Sequence, residues 1–262
     1  MRSLDIGATG MLAQQNNVEV ISNNIANMNT AGYSRRRVEF HDLLYQNFRR
    51  VGSNSSDSGT IVPAGVQIGL GVKTAAVYRI TEAGNLLNTN NSLDLAIQGR
   101  GYFQIELPGG RGTAYTRDGS FQLSQDGQIV THDGYPVMPG VTIPADAVDI
   151  TINASGEVWV KQDGQTDLAN VGQIEVATFA NEAGLEAIGD NLFLESTASG
   201  APTAGTPGAL GFGTVLQNFL ETSNVNVVSE VTELIKAQRA YEMNSKVIQT
   251  SDQMMATVTQ IK

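Results

Sequence analysis

Cysteine is absent from all 262 residues, which removes disulfides, thiol nucleophiles and thiolate-bound metals together. Only two histidines occur, His41 and His132. They lie far apart, and neither stands in a spacing that ligates a metal or serves a nucleophile; His132, beside Asp133-Gly134, reads as a turn residue. Aromatic residues make up 6% of the chain and charged residues 16%. No apolar run approaches the ~18 residues of a membrane span. Near the start, Asp5, Gln14, Gln15, Asn16 and Asn17 interrupt every apolar stretch, so a conventional cleavable secretion signal is not expected. The run Gly69-Leu-Gly71-Val-Lys-Thr74 lacks the third glycine of a dinucleotide fingerprint and precedes no helix. The recurring Asp-Gly pairs lack the clustered acids of a calcium loop. No cofactor and no metal is expected.

Charge narrows the field further. The net charge of −10 argues against nucleic-acid binding, which rests on lysine and arginine neutralising phosphates. The excess is uneven. Residues 1–50 hold six arginines against four acids, a surplus of two, so the remainder carries −12. Arg35-Arg36-Arg37 and Arg49-Arg50 concentrate that surplus. They read as a solvated turn and a basic helix end, or as a complement to the acidic remainder of a neighbouring copy.

What is abundant is heptad-spaced apolar residues at both ends. Leu4, Met11, Val18 and Ile25 recur every seven residues, with Ile21 and Met28 interleaved. Val227, Leu234, Tyr241, Ile248 and Met255 do the same, with Val231 beside them and Ala240, Val247, Met254 and Ile261 widening the face. Such spacing keeps one helix face toward a partner helix. The natural partners of the two stripes are each other and copies in neighbouring molecules. All these stripe residues except Ala240 and Ile261 are taken as subunit-interface candidates, in a chain built to assemble rather than to catalyse.

The spacing predicts a helix over residues 3–29, weakened by Gly7 and Gly10, and stopped by Asn27-Met28-Asn29-Thr30-Ala31-Gly32. Residues 33–50 read as a short helix or an extended arm, and 52–60 as a polar loop. Period-two alternation begins near residue 73. Asp-Gly pairs at 118–119, 126–127, 133–134 and 163–164 signal hairpins. Ser, Thr, Ala, Pro and Gly over 196–213 read as linker. Beyond Gly213 there is no glycine or proline, and Asn226 is a good N-cap for a helix of about 36 residues, ~54 Å long. The fold class expected is α+β: long terminal helices pairing as an antiparallel coiled-coil-like unit, an extended segment, and a central all-β domain. The divisions are 1–32 (helix), 33–72 (partly extended), 73–195 (all-β), 196–222 (return linker) and 223–262 (helix).

Longer motifs carry a resemblance. Ser22-Asn23-Asn24-Ile25-Ala26-Asn27, followed by Thr30-Ala31-Gly32-Tyr33, resembles the N-terminal motif of the flagellar rod and hook protein family, the axial proteins of the bacterial flagellum. Glu221-Thr-Ser-Asn-Val-Asn-Val227, followed by Gln238-Arg-Ala-Tyr-Glu242, resembles its C-terminal motif. Phe40-His-Asp-Leu-Leu-Tyr-Gln46, Asn90-Asn-Ser92, Ala114-Tyr-Thr-Arg-Asp-Gly-Ser-Phe121 and Asn181-Glu-Ala-Gly-Leu185 resemble the distal-rod branch. The similarity spans nearly the whole chain.

The resemblance implies a structural subunit of the basal body, not an enzyme. It would polymerise into a rigid tube that transmits torque across the periplasm and serves as an export channel for motility. The implied partners are further copies of the chain, proximal rod proteins, the hook protein, the periplasmic and outer-membrane bushing rings, and the flagellar type III apparatus, which exports family members unfolded without a cleaved signal. Nucleic acid and membrane insertion are not implied. Terminal helices would line an inner tube beneath an outer β layer, adding Asn23, Asn24 and Asn27 to the interface candidates. Tyr45, Gln46, Phe48, Pro63, Gly69 and Gly71 would mark a rod-specific segment that braces neighbouring subunits, although its centre, Asn54-Ser-Ser-Asp57, departs in detail.

Two other readings remain. A sibling axial protein, proximal rod or hook, would share both terminal motifs; a hook protein would normally carry a further outer domain, for which there is no room. A carbohydrate-active enzyme would need paired carboxylates in a cleft, whereas most central acids sit in Asp-Gly turns.

Overall fold

Asn226 starts the longest element. In the computed structural model, which describes residues 2–52, 64–110, 112–164 and 167–260, its Oδ1 accepts the Ser229 amide at 3.2 Å and its carbonyl accepts that of Glu230 at 3.0 Å. Helix α2 (Val227–Gln260) follows for 34 residues, uninterrupted because no glycine or proline breaks it. Helix α1 (Arg2–Ala26) opens the chain. It stops three residues short of the expected end because Thr30 turns back on Asn27, amide to carbonyl at 3.2 Å and hydroxyl to Oδ1 at 3.2 Å. With β strands between the helices, the fold is α+β.

The chain forms two units, one from residues 1–25, 36–78 and 226–262, the other from 26–35 and 79–225. The first holds both helices and four strands: β1 (Arg36–Asp42), β2 (Tyr45–Arg49), β3 (Val66–Gly69) and β4 (Val72–Arg79). β1 pairs with β4 and β2 with β3. Leu43 donates to Gly71 O at 2.8 Å and Leu70 to Leu44 O at 3.2 Å, which joins the two pairs into one long ribbon. Residues 33–50 are therefore neither helix nor free arm. The alternation at Val72–Tyr78, read as the start of the β domain, belongs to this ribbon.

The second unit carries fifteen strands among the described residues. They are β5 (Leu86–Asn88), β6 (Leu95–Gln98), β7 (Tyr102–Glu106), β8 (Thr113–Thr116), β9 (Gln122–Leu123), β10 (Ile129–Val130), β11 (Ala147–Ile152) and β12 (Glu157–Gln162). β13 (Ala169–Gln173), β14 (Val176–Thr178), β15 (Glu186–Gly189), β16 (Leu192–Leu194), β17 (Thr203–Gly205), β18 (Thr214–Gln217) and β19 (Phe219–Glu221) complete it. A six-stranded sheet runs β15-β16-β8-β7-β14-β17, and β11-β12-β13 form a second sheet. Alternation along β7 sends Phe103 and Ile105 into the main core with Phe121, Val158, Val160 and Val176, and Tyr102 to the opposite face with Tyr115, Phe179 and Phe193.

Two expectations need correction here. Residues 196–222 are not a linker: β18 pairs with β6 and β19 with β5. Their Ser- and Gly-rich flanks hide two short apolar runs, and partners more than 100 residues upstream supply the missing hydrogen bonds. Of the four Asp-Gly pairs, those at Gly127, Gly134 and Gly164 are turns with positive φ. Gly119 serves a different end: any Cβ there would collide with the carbonyl oxygen of Leu95.

One buried ion pair closes the second unit. Arg117 Nη1 meets Glu221 Oε1 at 3.2 Å, with both side chains under one-tenth exposed. Arg117 also donates to Gly101 O at 3.1 Å and to Gly99 O, while Gly84 N donates to Glu221 Oε1 at 2.9 Å. The two residues come from the Ala114–Phe121 and Glu221–Val227 motifs, 104 positions apart.

Burial, and after it the Glu182 carboxylate that accepts from its hydroxyl at 3.4 Å, pushes Tyr102 up to about 12. Its folded value lies above the ordinary ~10, so the stability it contributes is full below pH ~10 and is lost as pH rises through ~12, about 3 kcal/mol in all. Urea unfolding between pH 10 and 12 should show that decline, and Tyr102→Phe should flatten it. An equal decline in the variant would contradict this assignment.

Candidate assembly surface

Gly7 and Gly10 of α1 lie close against Ile248 and Asn244 of α2. A Cβ added at Gly7 would lie 2.8 Å from Ile248 Cγ1, and one at Gly10 would lie 2.8 Å from Asn244 Nδ2. The two glycines thus make room for neighbouring side chains, an asset in packing that outweighs their weak helix propensity. Further along, Gln15, Val18 and Glu19 face Gln238, Tyr241 and Glu242 across a groove of about 370 Å3. At the far end Asn24 Nδ2 donates to Glu230 Oε2 at 3.1 Å. As numbers rise along α1, those of its contacts on α2 fall.

Asn24 is 1% exposed. Its amide also donates to Arg36 O at 2.8 Å, and its Oδ1 accepts from Arg36 N at 2.9 Å. The interface assignment for Asn24 is therefore corrected: it is consumed in tying α1 to β1 and α2. Ile21 is likewise buried inside the unit. Leu4, Met11, Val18 and Ile25 are half-buried, Asn27 is half-buried, and Asn23 and Met28 are exposed.

On α2 the buried residues are Glu230, Ala237 and Ser251, seven or fourteen positions apart along one track. Leu234 and Ile248 are half-buried beside them, whereas Val227, Val231, Tyr241, Val247, Met254 and Met255 are exposed. The sequence reading missed further exposed apolar residues: Ile6 and Leu12 on α1, and Val228, Ile235, Met243 and Val258 on α2. Leu12 is 60% and Val228 77% exposed. Leu12, Val228 and Ile235 stand one step past Met11, Val227 and Leu234, which was the signal for them; Ile6, Met243 and Val258 lie two or three steps off. A helix apolar on several sides is one that other helices cover.

The ribbon is the second exposed feature. Every residue of β2, including Tyr45, Gln46 and Phe48, is exposed, and Gly69 and Gly71 are half-buried. The root of the ribbon is tied to α1: Asn16 Nδ2 donates to Thr74 Oγ1 at 2.9 Å, and a Cβ on Gly71 would strike Thr9 Oγ1. The Arg2 guanidinium stacks on the Phe48 ring 4.3 Å from its centroid. A hydrogen bond with Asp42, and then its negative charge, raises the Tyr45 hydroxyl. Pro63 and the Asn54–Asp57 stretch lie outside the described residues.

Among the described residues no three His, Asp or Glu side chains gather with metal-binding geometry. His132 Nδ1 lies 3.2 Å from Gln122 Nε2 in an exposed pair. No helix among the described residues is long and apolar enough to cross a membrane.

Comparison with known proteins accounts for this arrangement. Residues 4–33 match the family model for flagella basal body rod protein, residues 96–160 that for flagellar hook protein FlgE/F/G D1 domain, and residues 216–261 that for flagellar basal body rod FlgEFG protein C-terminal. The flagellar basal-body rod protein FlgG of Caulobacter vibrioides is 62% identical over 262 residues, covering all of both chains. The chain belongs to the FlgG family of flagellar basal-body rod proteins. FlgG of Agrobacterium fabrum is 54% identical over 99% of this chain and 98% of its own. The flagellar hook-basal body complex protein FlhP of Bacillus subtilis, 28% identical over the full length of both chains, is a more distant relative. The N-terminal rod-family match covers most of α1 and the residues just after it, the C-terminal one covers β19 and α2, and the FlgE/F/G D1 match falls within the second unit.

Proposed function

We propose that this protein is the structural subunit of the distal flagellar rod and polymerises into a rigid helical tube. That tube transmits torque across the periplasm and leaves an axial export channel. The full-length identity to FlgG proteins carries this reading. The terminal helices, within residues 1–32 and 223–262, pair as an antiparallel coiled-coil-like unit and pack against equivalents in adjacent copies. The falling series of contacts along α2 and the broad exposed apolar face support that packing. A head-to-tail contact that does not close generates a helical tube. The further partners are the proximal rod proteins, the hook protein, the bushing rings and the type III export apparatus that delivers the chain unfolded. Catalysis has no part in this role.

A sibling axial protein is the second reading, because residues 96–160 match a flagellar hook protein domain while both ends match basal body rod models. Full-length identities of 62% and 54% to FlgG, against 28% to FlhP, favour the rod.

The ribbon supplies the test. Deleting residues 46–63 should leave the thermal transition of the second unit in place and give a curved or more flexible polymer by electron microscopy. A straight polymer of unchanged stiffness would count against a bracing role.

A further inference from the structure

Residue register gives the two faces of the β2–β3 ribbon different chemistry. Gln46 stands opposite Ile68 and Arg49 opposite Val66, while Tyr45 stands opposite Gly69 and Asn47 opposite Gln67, with the irregularity between Asn47 and Arg49. Directly opposed residues share a face, so Gln46, Arg49, Val66 and Ile68 lie together. On the other face the Tyr45 ring covers Gly69, whose added Cβ would sit 3.4 Å from Cε1. The first face has no such cover: Val66 is 51% and Ile68 40% exposed. Arg49 makes no ion pair among the described residues. A two-stranded ribbon is marginal in water unless its apolar face is packed.

The α1–α2 groove has the complementary chemistry. Val18 and Tyr241 supply apolar lining, and Glu19 and Glu242 supply carboxylates. Glu19 accepts from Gln15 Nε2 at 3.1 Å, and Glu242 pairs with exposed Arg239 at 3.0 Å. Glu19 has no cationic partner among the described residues. The dimensions agree: two residues along a strand advance ~6.6 Å, and four along a helix, as from Gln15 to Glu19 or Gln238 to Glu242, advance ~6 Å. Among the described residues only helix side chains line the groove within one chain, which leaves it open to a second copy.

We propose that the Val66–Ile68 face of one copy's ribbon seats in the α1–α2 groove of a second copy, with Arg49 between Glu19 and Glu242. This rests on the polymer reading above and names the contact that holds the ribbon there. Opposite charge sets the register, and the aliphatic pair meets Val18 and Tyr241.

The cysteine-free chain makes the test direct. Copies carrying only Gln46→Cys are mixed with copies carrying only Gln238→Cys, assembled, and treated with a short bismaleimide. The expected product is a heterodimer cross-linked between positions 46 and 238, which forms in the polymer and not in the monomer. Asn47→Cys, on the opposite face, should give roughly fivefold less of the corresponding product. Arg49→Glu should lower the assembled fraction about tenfold or more, and Glu19→Arg with Glu242→Arg should restore it. Two results would overturn the proposal while leaving the polymer intact. One is Arg49→Glu assembling like the parent. The other is a Leu12→Cys copy cross-linking to the Gln238→Cys copy where the Gln46→Cys copy does not. Failure of the parent chain to assemble at all would overturn the polymer reading and this contact with it.

Discussion

Val247→Asp combined with Met254→Asp abolishes assembly and leaves the monomer's second unit intact. Both side chains are exposed on α2, 45% and 59% respectively. They lie seven residues apart on one track, and neither belongs to the buried track of the helix. Burying a valine or methionine side chain contributes about 1.5–3 kcal/mol each. Losing both removes ~3–6 kcal/mol from every contact they enter, at least a hundredfold in affinity. A carboxylate at either place adds a desolvation penalty. The expected result is a monomer at concentrations where the parent sediments as polymer, with the same thermal transition for the β-rich unit. Parent-like polymerisation would place the assembly surface elsewhere.

Arg117→Met should be the most damaging single change to the second unit. It leaves the Glu221 carboxylate buried, still held by Gly84 N at 2.9 Å but without its counter-charge. Glu221 Oε2 already lies buried without a hydrogen-bond partner among the described residues. Breaking a buried pair from one side costs about 3–5 kcal/mol, a fall of about 10 °C in Tm for a unit of this size. Replacing both partners, Arg117→Met with Glu221→Leu, should recover much of the loss, because no uncompensated charge remains. Calorimetry separates the outcomes. A single variant within ~2 °C of the parent would show that the pair contributes little.

Some of this architecture is plain in the residues themselves. Asn226 followed by a run without glycine or proline specifies where α2 starts and why it is long. The recurrence of Val227, Leu234, Tyr241, Ile248 and Met255 marks a helix made for partners. Which face turns inward is not legible in the same way. α2 carries several parallel tracks, and the choice falls to Glu230, Ala237 and Ser251 because the partner helix offers Gly7 and Gly10 opposite Ile248 and Asn244. That is a property of two helices together, and no single periodicity records it. Asn24 illustrates the same limit: its motif is conspicuous, but burial against Glu230 and Arg36 appears only once three segments meet.

The strands at Thr214–Gln217 and Phe219–Glu221 were hidden for a related reason. Each is short, and each depends on a partner strand near residues 86–98. Local composition favours linker there, and long-range pairing overrides it. Arg117 and Glu221 were visible only as parts of separate motifs. Nothing local in either motif marks the two as partners, and only the fold brings them together.

Charge separates the two units as well. The segments of the first hold ten basic and nine acidic residues, and those of the second six and seventeen, or +1 against −11. Self-repulsion of the second unit's surface disfavours promiscuous association there. The nearly neutral first unit is where the proposal above brings copies together.

The central claim is that the apolar helix faces are covered by other copies and that the helices gain their stability from that cover. Hydrogen exchange read by mass spectrometry, on a verified monomer and on assembled polymer under the same conditions, tests it most directly. The expected result is fast exchange over residues 3–29 and 226–262 in the monomer and strong protection of both in the polymer, with the second unit protected in each. Equal, strong protection of both helices in the monomer would contradict the coupling of their folding to assembly.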